Sequence, residues 1–135
     1  MERQKMDALI RAHVAAEMNG DPAGCVAVYT DDVEHDVVGF PLGPQHGRQA
    51  ALAVYERLTQ DIRTEEMDPR RTYYGDDSCV MEHQWTGTVP GDFLGIPGNG
   101  RRISFRMLHV FEFRDGLISR ENVWIDGAAV TAQLA

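Results

Sequence analysis

The sequence predicts an α+β domain spanning residues 1–135, with N-terminal helices packed on a curved, mostly antiparallel sheet around one apolar pocket. Three observations support this prediction. Helical periodicity dominates residues 2–61, extended segments dominate residues 66–125, and no linker or internal repeat separates the two regions. Helices followed by an antiparallel meander are typical of α+β folds. A chain of 135 residues fits one domain, because single cores commonly serve ~100–200 residues.

Composition and charge exclude several classes of protein. Hydrophobic residues make up 43% and charged residues 25% of the chain, which is typical of a globular protein. The net charge of −8 repels phosphate backbones and anionic lipid, so we expect neither nucleic acid nor membrane partners. No apolar run approaches the ~20 residues of a membrane span. With no basic-apolar leader and only two cysteines, a cytoplasmic location with reduced, packed thiols is expected.

Three helices are predicted in the first half. Residues 2–19 form an amphipathic pattern whose apolar stripe contains Met6, Leu9, Ile10, His13 and Ala16. Asp21 and Pro22 are an N-cap and a first helical residue, and they start a shorter helix that ends near Thr30. A third helix is expected over residues 48–61, with its buried side formed by Ala51, Leu52, Tyr55 and Leu58.

The strands follow from β-branched and aromatic runs between turn residues. Residues 33–38 form the first strand, and the Gly/Pro-rich residues 39–44 form a loop. Four longer strands are predicted over residues 66–74, 78–89, 101–114 and 117–125. Residues 90–100 are predicted to be a long loop, and residues 128–134 a last short helix.

The last hairpin assigns side chains to faces. Asp115-Gly116 is a preferred type I′ turn, so Arg114 should pair with Leu117. Regular alternation then places His109 opposite Asn122 and Met107 opposite Trp124. These four lie on one face with Ile103, Phe105, Phe111, Phe113, Ile118 and Arg120. The other face also carries apolar residues, which predicts a homodimer through the outer face of the sheet.

Three polar residues are the candidates for chemistry. His109 interrupts an apolar row, so it is either a core histidine satisfied by Asn122 or a proton-transfer group at a pocket wall. Asp36 shares a strand face with Glu34 and Val38, and it is either a pocket base or a cap for the following loop. His13 is either packed in the core or turned toward the same cavity. No histidine spacing suits a metal, so neither a metal nor a cofactor is expected.

Short motifs spread along the chain resemble the nuclear-transport-factor-2-like superfamily, in particular its ketosteroid-isomerase and SnoaL-like polyketide-cyclase branches. The motifs are Asn19-Gly20-Asp21, Tyr29 to Val33, Asp36 to Gly39, Gly47-Arg48, Trp85 to Thr88, Phe93 to Pro97, Gly100-Arg101, His109 to Phe113 and Asp115-Gly116. This resemblance covers nearly the whole length and implies the cone-shaped fold of that superfamily. The superfamily hosts several chemistries, so fold alone does not assign one.

The resemblance also implies roles for individual residues. Asp36 matches the general base of the isomerases. His109 stands where they have an Asp that stabilises the oxyanion, and His13 stands where they have a Tyr that donates a hydrogen bond to the oxyanion. His109 also resembles a histidine of the polyketide cyclases. The partner Asp of those cyclases lies on the last strand, where this chain has Asn122, Val123 and Trp124.

These observations together predict cofactor-free acid–base catalysis on a small hydrophobic, ketone-like ligand. Asp36 would take a proton next to a carbonyl, and His109, helped by His13 or Asn122, would stabilise the enolate. The expected pocket wall consists of Phe105, Met107, Phe111, Trp124, Tyr55 and Phe93. Two alternatives are a hydrolase of the epoxide-hydrolase type, with Asp36 activating water, and a binding domain without catalysis.

Overall fold

The computed structural model describes residues 1–135 and confirms the α+β fold. Four helices accompany a curved, unclosed sheet of six strands and a separate two-stranded hairpin. The elements in chain order are α1 (Arg3–Met18), α2 (Pro22–Ala27), β1 (Tyr29–Val38), β2 (Gln45–His46), α3 (Arg48–Asp61), β3 (Arg63–Tyr74), β4 (Ser78–Val89), β5 (Asp92–Phe93), β6 (Ile96–Pro97), β7 (Arg101–Arg114), β8 (Leu117–Ile125) and α4 (Gly127–Leu134).

Strand order in the large sheet is β2-β1-β8-β7-β4-β3. Every neighbouring pair is antiparallel except β1 and β8, which run parallel. The parallel pair joins the beginning of the chain to its end. It therefore places residues of β1 beside residues of β8 on the inner face of the sheet, with His35 next to Glu121.

The helices form where capping and apolar spacing predict them. The Asp21 carboxylate accepts a hydrogen bond from the Gly24 backbone N–H, and Pro22 occupies the first turn of α2. The stripe of α1 is buried at Met6, Ile10, His13 and Ala16. Helix α2 ends at Ala27 and β1 begins at Tyr29, four residues before the predicted strand, because sheet pairing with β8 extends it.

Two groups of buried side chains form the core. One lies between α1, α2, α3 and the sheet, and it includes Met6, Tyr29 and Phe111. The other lies toward α4 and includes Trp85, Phe105 and Val130. The predicted loop at residues 90–100 contains the short β5–β6 hairpin, which buries Phe93 in this second group. Cys25 and Cys79 are buried and unpaired, in agreement with a packing role.

The turn between β7 and β8 is the predicted one, but the register beyond it is not. Asp115 and Gly116 have φ values of 55° and 77°, as a type I′ turn requires, and Arg114 pairs with Leu117. The pairing then shifts by one residue at Ser119, because Phe113 faces Ile118 whereas Glu112 faces Arg120. This irregularity is a β-bulge, which inserts one unpaired residue into a strand.

The bulge reverses the two faces of β8 from residue 120 onward, because side chains alternate along a strand. His109 faces Val123 rather than Asn122, and Met107 faces Ile125 rather than Trp124. The predicted inward positions of Asn122 and Trp124 are therefore wrong. Glu121, Val123 and Ile125 face inward instead.

Neighbouring β1 has a correctly predicted alternation but the opposite orientation. Asp36 lies beside Asn122, and the alternate residues His35 and Val37 face the interior with Glu121 and Val123. The placement of Asp36 in the cavity is therefore wrong. Its carboxylate accepts a hydrogen bond from the Asn122 side chain at 3.2 Å on the outer face of the sheet. None of the helices is both long and apolar enough to cross a membrane.

Candidate active site

An apolar cavity of about 70 Å³ lies between the inner face of the sheet and helices α1 and α3. That volume exceeds what a single water molecule needs. Its walls are mainly aromatic and aliphatic: Phe40, Trp85, Phe93, Phe105, Met107 and Ile125. Two threonines, Thr59 and Thr64, also line it, and its polar wall with titratable groups consists of Glu17, His35, Tyr55, His109 and Glu121.

Some sequence-predicted site residues meet at this cavity and others do not. His109, Tyr55, Phe105, Met107 and Phe93 line it. Phe111 is completely buried behind His109, with the two rings stacked at 5.5 Å between centroids.

The remaining predicted residues do not line the cavity: one is buried next to its polar wall, and the others lie on the outer face of the sheet. His13 is buried next to the polar wall, where it contacts Glu121. Asp36 and Asn122 share the outer face with Trp124, which is 51% exposed and donates a hydrogen bond from its indole to the Asn122 side chain. The structure therefore separates Asp36 from His109 by the thickness of the sheet.

Glu121 is the residue around which the polar wall is organised. Its side chain is completely buried. Its Oε1 atom accepts a hydrogen bond from the Tyr29 hydroxyl at 2.8 Å and lies 2.9 Å from His13 Nε2. Its Oε2 atom accepts a longer hydrogen bond from the Tyr55 hydroxyl at 3.3 Å and lies 4.0 Å from His109 Nε2. Oε2 is thus the less engaged of the two oxygens.

The surroundings of His13 require its imidazole to be a cation. Nδ1 lies 2.8 Å from the backbone carbonyl oxygen of Cys25, so it must carry a proton. Nε2 lies between the carboxylates of Glu17 at 3.0 Å and Glu121 at 2.9 Å, so it must carry a proton too. Only the doubly protonated ring donates from both nitrogens. His13 and Glu121 are therefore a buried ion pair.

The pKa values agree with this assignment. Burial lowers the pKa of His13, but the nearby Glu121 and Glu17 carboxylates outweigh burial and raise it well above 6.5. Burial raises the pKa of Glu121, but the positive charge of His13 outweighs burial and holds it well below the ordinary value. Interacting groups of this kind titrate as a pair, so both shifts describe one unit.

Two tyrosines and a second histidine complete the hydrogen bonding around Glu121. Tyr29 and Tyr55 donate to its two oxygens, so the Tyr55 oxygen is free to accept from His35 Nε2 at 3.0 Å. Burial lowers the pKa of His35, which keeps the ring neutral and leaves Nδ1 as an acceptor. His35 Nδ1 is buried and has no hydrogen-bond partner within the protein. The cavity wall therefore contains one unused acceptor.

His109 is neutral for the same reason, because burial lowers its pKa. Nε2 faces the Glu121 carboxylate, and Nδ1 lies 3.2 Å from Nδ1 of His83 on β4. Its partner is thus His83 and not Asn122, the partner expected for a merely satisfied core histidine. A neutral imidazole at a cavity wall can donate to or accept from a bound ligand, depending on its tautomer.

Residues 7–134 match the family described as SnoaL-like polyketide cyclase. The chain belongs to this family. No protein among the curated sequences matches the chain significantly. Among solved structures, this SnoaL-like chain is similar to TsrD from Streptomyces laurentii, with 23% identity, a TM-score of 0.85, and coverage of 100% of this chain and 98% of TsrD.

Two further solved structures share the fold of the SnoaL-like chain. A protein with a ketosteroid isomerase-like fold from Catenulispora acidiphila, in complex with trimethylamine, has 17% identity and a TM-score of 0.77, with coverage of 93% and 91%. An LEH-like epoxide hydrolase of M. tuberculosis has 19% identity and a TM-score of 0.75, with coverage of 97% and 90%. These similarities establish the fold and leave the reaction to be argued from the cavity.

Sequence reasoning missed Glu121, Glu17 and His35 in the SnoaL-like chain. Regular alternation from the Asp115-Gly116 turn places Glu121 on the outer face, opposite to its observed position. The sequence carries no clear signal of the bulge, because apolar residues occupy both odd positions (Leu117, Val123, Ile125) and even positions (Ile118, Trp124) of β8. Glu17 lies one turn after His13 on α1, a spacing at which side chains are neighbours.

The ion pair predicts how the stability of the SnoaL-like chain varies above pH 6.5. The folded protein keeps the His13 proton that the unfolded chain releases, so the stabilisation is full below 6.5 and is lost as pH rises through the raised pKa. We expect the free energy of unfolding to fall by up to ~1.4 kcal/mol per pH unit above pH 6.5. Urea unfolding over a series of pH values measures this slope.

Stability should also fall on the acid side. The pKa values of His35, His83 and His109 are lowered by burial, so unfolding takes up protons below 6.5 and stability rises with pH up to that point. Glu121, with its lowered pKa, loses its stabilisation only as pH falls below 4.5. A free energy of unfolding that stays constant between about pH 7 and about pH 8.5 would contradict a charged His13.

Proposed function

We propose that this protein catalyses proton transfer next to a carbonyl group of a small hydrophobic substrate, with Glu121 as the base and without a cofactor. The observation that carries the proposal is the buried, ionised carboxylate of Glu121 in the wall of an apolar cavity, next to neutral His109. Glu121 lines the cavity and takes the role of base that the sequence predicted for Asp36, because Asp36 lies on the other face of the sheet.

The geometry favours Oε2 of Glu121 as the reacting atom. Oε1 is engaged by His13 and Tyr29, whereas Oε2 has one long hydrogen bond from Tyr55. In the proposed step, the substrate C–H bond breaks, its proton forms an O–H bond at Oε2, and its electron pair moves to the carbonyl oxygen as an enolate. Returning the proton to another carbon completes an isomerisation. Attack of the enolate carbon on a second carbonyl, followed by proton return to the new alkoxide, completes a cyclisation.

The enolate oxygen needs a donor, and His109 is the candidate in the wall. Its neutral ring can donate from Nε2 without carrying a charge of its own. A preorganised donor at a developing oxyanion contributes about 3–4 kcal/mol to lowering the barrier in a water-excluded site. The unused acceptor at His35 Nδ1 suits a hydroxyl group elsewhere on the substrate.

The ion pair with His13 has opposing effects on this chemistry. The lowered pKa keeps Glu121 ionised at neutral pH, so the base is present in its reactive form. The same positive charge makes Glu121 a weaker base. Stabilisation of the enolate oxygen must compensate for this weakness, and for that reason donors in the wall matter as much as the base.

The cavity walls restrict the substrate class. Trp85 and Phe105 stack with centroids 4.9 Å apart, and Phe93 packs against Phe105 at 5.6 Å. Flat aromatic surfaces favour a flat, mostly apolar guest. We therefore expect a cyclic or aromatic ketone whose polar end reaches the wall formed by Glu121, His35 and His109.

The test is hydrogen exchange in D₂O. A panel of hydrophobic cyclic and aromatic ketones is incubated with the protein, and proton NMR follows deuterium incorporation next to the carbonyl. At least one ketone that binds should exchange faster than in buffer alone. Ketones that bind and show no accelerated exchange would support a binding domain without catalysis and contradict the proposal.

A second carboxylate in the cavity wall supports hydrolysis as the alternative. Glu17 lines the cavity and its Oε1 lies 3.0 Å from His13 Nε2, so an acid–base pair with Glu121 is available. Glu121 would take a proton from the attacking water molecule, and the His13 cation would supply, through Glu17, the proton for the oxygen of the opening epoxide. Incorporation of ¹⁸O from labelled water into an epoxide substrate, without deuterium exchange of ketones, would favour this reaction.

We propose, in addition, that two copies pair through the outer face of the sheet. Trp124 is 51% exposed there and lies opposite the half-buried Leu108. Exposed apolar groups on a sheet face without covering helices are typical of an interface.

Trp124→Glu should convert a dimer into a monomer in analytical ultracentrifugation. Tyr73→Glu, on the edge strand β3 and 58% exposed, should leave the mass unchanged. A monomeric wild-type protein would contradict the proposal.

A further inference from the structure

A fourth buried histidine, His83, lies behind the candidate active site and has no part in the proton transfer proposed above. His83 is 2% exposed and belongs to β4, whose inner face also carries Trp85. Its ring meets the ring of His109 edge-on, with centroids 5.0 Å apart, and the two Nδ1 atoms are 3.2 Å apart. It does not line the cavity, so it acts on a ligand only through His109.

Two neutral imidazoles that meet through their Nδ1 atoms must divide the roles of donor and acceptor. If both Nδ1 atoms carried protons, two N–H groups would face each other, and if neither did, two lone pairs would. One ring is therefore the Nδ1–H tautomer and the other the Nε2–H tautomer. Both rings are neutral, because burial lowers the pKa of His109, and burial and the neighbouring His109 lower the pKa of His83 to about 4.

The charge on the far side of His109 favours one of these two arrangements, and the hydrogen bond with His83 then holds it. Nε2 of His109 lies 4.0 Å from the carboxylate oxygen Oε2 of Glu121. A negative charge favours an N–H group over a lone pair at that distance, because the N–H dipole points its positive end toward the carboxylate. His109 is then protonated at Nε2 and accepts at Nδ1, so His83 donates from Nδ1.

We infer that His83 is a positioning residue that holds His109 in the Nε2–H tautomer and so makes it a hydrogen-bond donor toward the cavity. This role rests on the proposed function, in which His109 donates to the enolate oxygen. With the opposite tautomer, Nε2 would present a lone pair to a developing negative charge, which would repel it. The tautomer thus determines whether His109 assists or opposes enolate formation.

The direct test is ¹⁵N NMR of the histidine rings in the uniformly labelled wild-type protein near neutral pH. His109 should show a protonated Nε2 and an unprotonated Nδ1, and His83 a protonated Nδ1. His83→Leu removes the donor, and the His109 resonances should then shift toward a mixture of the two tautomers. His83→Asn keeps an amide donor close to the position of Nδ1 and should preserve the wild-type pattern.

Activity gives a second readout in the ketone exchange assay. His83→Leu should lower kcat between ~10-fold and ~100-fold with little change in KM, which is less than the loss of a complete oxyanion donor. His83→Asn should recover most of that loss. If no ketone exchanges, the proposed function fails while the NMR pattern still tests the tautomer. A wild-type His109 protonated at Nδ1, or a pattern unchanged in His83→Leu, would overturn the inference.

Discussion

Glu121→Gln should lower the rate of ketone deuterium exchange by ~10³-fold, within the range that a positioned general base contributes. The amide has nearly the same shape as the carboxylate and can still accept a hydrogen bond from Tyr29, so the cavity should persist. It cannot accept a proton from carbon at neutral pH. Exchange rates measured by proton NMR at saturating ketone, together with binding measured by calorimetry, separate the loss of the base from the loss of the site.

The matched control is Asp36→Asn, which makes the same chemical change on the other face of the sheet. Asp36 contacts Asn122 there and does not line the cavity. Its exchange rate should equal that of the wild-type protein. The opposite result, with Asp36→Asn inactive and Glu121→Gln active, would restore the expectation drawn from the isomerase resemblance and would refute the assignment of Glu121.

His13→Leu should lower the free energy of unfolding by about 3–5 kcal/mol, because it leaves the Glu121 carboxylate buried without its cation. The loss should be largest near pH 6. At that pH both members of the wild-type pair are charged in the folded protein, and release of the His13 proton adds little to the stability of the unfolded chain. Urea unfolding followed by far-UV circular dichroism measures it. In the variant, burial should raise the pKa of Glu121, so the decline in stability with rising pH should begin near 4.5 rather than at 6.5.

Two further variants make this result specific. His46→Leu changes an exposed histidine and should shift the free energy of unfolding by no more than about 0.5 kcal/mol. The double variant His13→Leu/Glu121→Gln should be more stable than His13→Leu alone, since the uncompensated charge is gone. If His13→Leu unfolds at the wild-type urea concentration, the two residues are not a charged pair.

The sequence predicted most of the framework, because its signals are local. The third helix and strands β4, β7 and β8 have the predicted bounds, and Asp115-Gly116 forms the predicted turn. Apolar residues two apart on β7 also placed Phe105, Met107 and His109 correctly on the inner face. Strand β7 has no bulge along its inner row, so simple alternation was sufficient there.

The candidate site could be predicted only in part, because one extra residue in β8 changed which of its later side chains face the cavity. The bulge at Ser119 moves Asn122 and Trp124 outward and brings Glu121 inward. No glycine or proline in β8 indicates the bulge. Apolar residues occupy both odd and even positions of β8, so the sequence pattern is that of a strand with two apolar faces and does not reveal the extra residue.

The amino-acid sequence alone determined the class of this protein: its helical and extended segments, its closing turn, part of its aromatic cavity wall and its membership of a superfamily. These properties depend on neighbours along the chain, where periodicity and turn chemistry act. Only the tertiary structure decided which carboxylate meets His109. That choice depends on the pairing of β1 with β8 and on one bulge, and a shift of one residue moves every later side chain to the opposite face.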